Sequence, residues 1–132
     1  MPTQERPASV GPTYVTTSDL SRLLRKTQLR TIPYTAAPST MDSNCQCALV
    51  DATVGNITFT LQKASSLGAG SLLCVVKTDA SAFLVVVSPA SGDSFFPVNS
   101  PALSARGDNC LLISDGNLTW YKIAVRIASL PV

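Results

Sequence analysis

Two apolar runs, Leu72 to Lys77 and Phe83 to Ser88, constrain this chain more than any other stretch. A polar link, Thr78-Asp79-Ala80-Ser81-Ala82, separates them. β-Branched and large apolar side chains favour a pleated, buried surface, so both runs predict strands. Asp79 and Ser81 are turn formers, because their short polar side chains bond the nearby backbone. Together the runs predict a hairpin. Val85-Val86-Val87 is apolar without alternation, so both faces of that strand need cover, from a second sheet or from another copy of the chain.

The rest of the chain fits an all-β body. Ile57-Thr58-Phe59-Thr60-Leu61 alternates apolar and polar residues, the pattern of a half-buried strand. Cys45 to Thr53 reads as an earlier strand with Cys45, Cys47, Leu49 and Asp51 on alternating positions. Lys63 to Gly70 reads as a loop with one short turn, Phe95-Phe96 as a short strand or anchoring pair, and Pro101 to Ala105 as a short edge strand. Cys110 to Ser114 and Leu118 to Ile127 flank Asp115-Gly116-Asn117, and an Asp-Gly turn between apolar runs is a strong hairpin signal. About seven short strands at this spacing predict a small sandwich, jelly-roll-like or barrel domain over residues 45–132. No exact internal repeat is visible.

Residues 1–44 differ in kind. Pro2, Pro7, Gly11 and Pro12 lie among Thr, Ser and Gln, a composition that cannot bury a core and reads as an extended arm. One short helix is predicted at about 18–27: Ser18 is a preferred N-cap, Asp19 lies near the positive end of the dipole, and Leu20, Leu23 and Leu24 follow at helical spacing. So short a helix persists only when docked. Pro33 and Pro38 bar regular helix from Thr31 to Asn44, which predicts an extended connector. The net charge of +2 is uneven. Arg6, Arg22, Arg25, Lys26 and Arg30 outweigh Glu5 and Asp19, whereas six aspartates outweigh five cations in the remainder. Leu20, Arg22, Leu23, Leu24, Arg25, Lys26 and Arg30 are therefore the candidate partner-binding residues. A partner protein and a solvated helix face are both open for them. Nucleic acid is not expected, because the basic cluster is small and lacks aromatic or glycine interleaving.

Composition narrows the chemistry. The chain has 132 residues, only 14% of them charged, and a mean hydropathy of +0.26. A lone soluble domain normally carries more surface charge, which points to assembly. No apolar run reaches membrane-spanning length, and Met1 to Pro7 lacks a signal peptide's apolar core, so synthesis in a cytoplasm and free thiols at Cys45, Cys47, Cys74 and Cys110 are expected. The sequence has no His, and Glu5 is its only Glu. General acid–base catalysis, a nucleophilic triad and a zinc knuckle thus lack their usual residues, and neither an enzyme nor a cofactor is expected. Asp42, Asp79, Asp93, Asp108 and Asp115 fall in predicted turns, where backbone bonding explains them. Arg106-Gly107-Asp108 matches an adhesion tripeptide only where a turn is already expected. Trp120 reads as a core plug, with a sugar-stacking site as the functional alternative. Lys77 and Asp79 are expected to form an exposed pair worth little.

Several of these segments, taken in order, resemble a recurring β-domain of tailed-bacteriophage virion proteins. They are Ile57-Thr58-Phe59-Thr60-Leu61, Gly68-Ala69-Gly70, Val75-Val76-Lys77-Thr78-Asp79-Ala80-Ser81-Ala82, Ser88-Pro89-Ala90-Ser91-Gly92-Asp93 and Ser114-Asp115-Gly116-Asn117-Leu118-Thr119-Trp120-Tyr121. The resemblance spans roughly residues 48–124. Gln62 replaces a usual proline, and Leu118 interrupts the closing motif. Proteins of this family serve as capsid decoration (cement) proteins, head fibres and tail fibres, commonly as homotrimers. One small body behind one arm suits a cement protein, which the resemblance implies would bind the major capsid protein and itself on the capsid exterior, without nucleic acid or membrane. A short head or tail fibre or adaptor, and a receptor- or glycan-binding module, are the alternatives.

Overall fold

The structure is a computed structural model that describes residues 29–127. The predicted arm helix lies outside them. The described residues form ten strands in two mixed sheets and a single-turn helix: β1 Thr31–Tyr34, β2 Ser39–Thr40, β3 Cys47–Val50, β4 Ile57–Thr60, α1 Ala64–Leu67, β5 Ala69–Lys77, β6 Val85–Ser88, β7 Ser94–Phe96, β8 Ala102–Leu103, β9 Asn109–Asp115 and β10 Thr119–Arg126. The large sheet has the order β1-β3-β5-β9-β10-β7, and the small sheet β2-β4-β6-β8.

The first six strands alternate between the sheets, odd ones in the large and even ones in the small. Within each sheet they pair in parallel. Parallel neighbours need a crossover, commonly a helix; here the crossover is a strand of the other sheet. The predicted hairpin between the two opening runs is therefore not formed, since β5 and β6 belong to different sheets. The turn chemistry at Asp79 and Ser81 is present, but it carries the chain across the core. The expected connector from Thr31 to Asn44 also contributes to both sheets as β1 and β2. Pro33 and Pro38 exclude helix, yet proline is tolerated in an edge strand, and β1 and β2 are the edges of their sheets.

The first strand differs in register from the sequence expectation. β3 begins at Cys47, with Ala48 and Val50 fully buried and Cys47 and Leu49 half-buried on the opposite face. Cys45 precedes the strand and is buried. Asp51 leaves the strand and accepts from Thr53 N at 2.9 Å. One core lies between the sheets, joining Ile57, Phe59, Val85 and Val87 of the small sheet to Leu73, Val75, Leu112 and Trp120 of the large one. Tyr34 packs edge-on against Phe59, with ring centroids 4.8 Å apart.

Lys77 and Asp79 form a buried pair rather than the exposed one expected. Their side chains are 0% and 6% exposed, and Lys77 Nζ lies 2.7 Å from Asp79 Oδ2. Lys77 Nζ also donates to the carbonyls of Asp79 and Ser81, each at 3.1 Å, while Asp79 Oδ1 accepts from Ala52 N at 2.7 Å. Burial alone would raise the Asp79 carboxyl. The bonds from Lys77, Ser81 and the Ala52 amide outweigh it and hold the carboxyl well below the usual range.

The β9–β10 hairpin forms as predicted. Gly116 has φ +78°, and a Cβ there would lie 2.5 Å from Ala69 N. Both the left-handed backbone and the close approach require glycine. Gly116→Ala is expected to lower unfolding free energy by roughly 2 kcal/mol. Urea titration checks this; an unchanged midpoint would show that β5 and the turn separate at no cost.

Candidate interaction surfaces

The two sheets present unlike outer faces. On the small sheet, Thr40 and Thr58 are exposed and Thr60, Val86, Ser88 and Ala102 half-buried on the side away from the core, a surface that is mostly hydroxyl with one apolar pair beside Thr58. On the large sheet, pairing sets the outward residues in cross-strand rows. Pro33, Leu49, Val76, Asn109 and Arg126 form one row, and Thr31, Cys47, Cys74, Leu111 and Ala124 the next. Leu72, Ile113, Tyr121 and Phe96 form the third. Leu72 is 48%, Tyr121 43% and Phe96 59% exposed, and the Phe96 and Tyr121 rings are 5.8 Å apart. Burial and the neighbouring Cys47 push the Cys74 thiol up, so it adds no charge to the face at neutral pH. Arg126 ends the first row. At the other end of β9 stands exposed Asp115, its carboxyl held low by bonds from Asn117 N and Thr119 N.

This face was legible only indirectly. Its strands read apolar on both sides, which hid the alternation that separates inside from outside. The free-standing signals were low total charge and runs such as Val85-Val86-Val87, and the latter belong to the other sheet.

Of the candidate arm residues, Leu20, Arg22, Leu23, Leu24, Arg25 and Lys26 lie outside the described residues. Arg30 lies within them and is exposed. Its backbone N donates to Gln46 Oε1 at 2.9 Å, and its Nε donates to the Asn44 carbonyl at 2.9 Å. Its own carbonyl accepts from Gln46 N and Cys47 N. These bonds fix the point where the arm meets the large sheet, beside a cleft of about 180 Å³ lined in part by Arg30, Met41, Leu67 and Leu72.

The body aspartates hold the fold. Each of the six body aspartates accepts a backbone amide: Asp42 from Asn44, Asp51 from Thr53, Asp79 from Ala52 and Ser81, Asp93 from Ala64, Asp108 from Ser104 and Ala105, and Asp115 from Asn117 and Thr119. Asp108 is 1% exposed, so the Arg106-Gly107-Asp108 turn does not display its carboxylate. Trp120 is fully buried, and its Nε1 donates to the Gln62 carbonyl at 3.1 Å; it is a core residue and presents no ring to a sugar. Among the described residues, no His, Cys, Asp or Glu group is arranged to hold a metal ion, and no helix is long and apolar enough to cross a membrane. Compared with known proteins, the sequence matches no family model and no curated protein.

Proposed function

We propose that this chain is a capsid decoration (cement) protein of a tailed bacteriophage, a structural component of the virion exterior without catalytic turnover. The two sheets are read as the layers of a small sandwich that assembles as a homotrimer over the head. The N-terminal arm, with Leu20, Leu23, Leu24 and its basic residues, engages the major capsid protein. Its role is mechanical: it holds neighbouring coat subunits together against the pressure of packaged DNA.

One observation carries the reading. The residues that resemble the virion β-domain occupy framework positions here. Lys77 and Asp79 form the buried pair, Gly116 makes the turn, and Trp120 fills the core. The motif is thus a folding signature, and its function must lie in the surfaces and the arm. An arm of roughly 28 residues, fully extended, reaches on the order of 100 Å, far enough to run between coat subunits. Several arms on one assembly multiply weak contacts into firm attachment.

Deleting residues 1–28 removes the arm and retains every strand of the described residues. The truncated protein is expected to keep its β-type circular dichroism and its oligomeric state, yet to lose co-sedimentation with heads of the phage that encodes it. Truncated protein that sediments with heads as well as the full chain does would refute the arm's role. A copy number per virion of a few, rather than hundreds, would refute decoration and favour a fibre or adaptor.

A further inference from the structure

We propose that the outer face of the large sheet is the self-association surface, buried against the corresponding sheet of another copy of this chain. The inference deepens the assembly half of the proposed function and does not depend on the capsid half.

The first ground is the contrast between the two outer faces. Both belong to one small body and both lie outside its core, yet four of the six outward residues of the small sheet are Thr or Ser, beside Val86 and Ala102, whereas the large sheet carries Leu49, Val76, Leu111 and Ile113. A face evolved for water alone would alternate toward polar residues, as β2 and β4 of the small sheet do.

The second ground is area and shape. The three rows hold fourteen outward residues, each occupying about 4.8 by 6.8 Å of the sheet, a footprint on the order of 450 Å². That is the size of the largest patch a monomer leaves exposed, which is often a functional one. It is more than half of the ~800 Å² that each partner buries in a standard interface, before the side chains' relief and the rim are added. A broad sheet face is matched by another sheet face, which stacks about 10 Å away with interdigitating side chains.

The third ground is charge. Among the described residues of these rows only Arg126 is charged, and Asp115 stands at the opposite end of β9. One cation and one anion cancel, so a copy of this face meets no net repulsion. A strongly charged partner finds nothing in the centre to pair with.

Light scattering during size-exclusion chromatography, at micromolar concentration, tests the assignment on the full chain. Wild type is expected to elute as an oligomer, and Ile113→Lys as a folded monomer with unchanged β-type circular dichroism. Thr58→Lys, on the outer face of the small sheet, is expected to remain an oligomer. Should Ile113→Lys fail to fold, Tyr121→Lys at the more exposed end of the same row gives the same reading. An Ile113→Lys or Tyr121→Lys protein that stays fully oligomeric overturns the inference while leaving self-association intact. A monomeric wild type overturns it too, and leaves the face to residues 1–28 or to the coat. Co-sedimentation with heads, measured separately, keeps failure of the capsid reading distinct from failure of this one.

Discussion

Asp79→Ala is expected to destabilise the protein by roughly 3–5 kcal/mol, because it strands a fully buried ammonium. Lys77 is 0% exposed, so water cannot replace the lost carboxylate. The carbonyls of Asp79 and Ser81 still accept from Lys77 Nζ, but they carry no countercharge. Typical domains are stable by about 5–15 kcal/mol, so the loss is a large share of the total. For a body of this size it corresponds to a fall in Tm on the order of 15–30 °C. Lys77→Met removes the charge and keeps much of the volume, so the double variant Lys77→Met/Asp79→Ala is expected to recover part of the stability that Asp79→Ala alone loses. Urea unfolding of the three proteins decides the matter. A double variant no more stable than the single one would show that the unpaired charge is not what costs.

The same pair sets the acid response. The folded-state pKa of Asp79 is depressed, while an unfolded Asp titrates near 4. The stabilisation is therefore fully present above about pH 4–5 and is lost as pH falls toward the folded value. Wild type is expected to lose more stability than Asp79→Asn between neutral pH and the acid limb, and the two unfolding curves should converge there. Parallel curves over the whole range would show that Asp79 is not held low.

Why the sequence displayed the Asp79 turn but not its consequence is a matter of range. Asx-type bonding from Asp79 to Ser81 N spans two residues, and composition predicts it. The bond from Ala52 N to the other oxygen spans 27 residues, and no local pattern announces it. That long contact belongs to a crossover between sheets, where a hairpin was the simpler expectation. The parallel winding was hidden for a related reason. Thr31 stands beside Cys47 and Cys47 beside Cys74, so successive passes differ in length and no repeat emerges. Where one face is polar, the reading was direct: Ile57 and Phe59 are buried and Thr58 is exposed, as alternation requires. Where both faces are apolar it failed: Cys47 and Leu49 point away from the core, while Ala48 and Val50 fill it. The Asp115-Gly116-Asn117 turn was legible because its chemistry is contained within the turn. Of the candidate site, only Arg30 can be placed. The broad apolar face was legible only through the low total charge, because it is built by pairing among strands far apart in sequence.

Trp120→Ala is expected to cost about 3–5 kcal/mol, the range for removing a large buried aromatic side chain. Trp120 sits on β10, opposite Ser114 on one side and Phe95 on the other, with no exposed surface. Its Nε1 bond to the Gln62 carbonyl reaches the segment just after β4, and Gln62 Nε2 in turn donates to the Met41 carbonyl. The indole therefore ties the large sheet to the end of the small one. Alanine leaves a cavity and removes the Gln62 carbonyl's indole donor. Trp120→Phe keeps most of the packing and loses the donor, so its cost is expected to be smaller, roughly 1–3 kcal/mol. Trp120 is the only tryptophan, so its emission in the native wild type should be blue-shifted and poorly quenched by acrylamide, shifting red on unfolding. These measurements also separate the framework role from the sugar-stacking alternative. A stacking residue would be quenched readily, and its loss would weaken glycan binding with little effect on stability. A large fall in stability, with no glycan retained by wild type or variant on a carbohydrate array, is the result that a core plug requires.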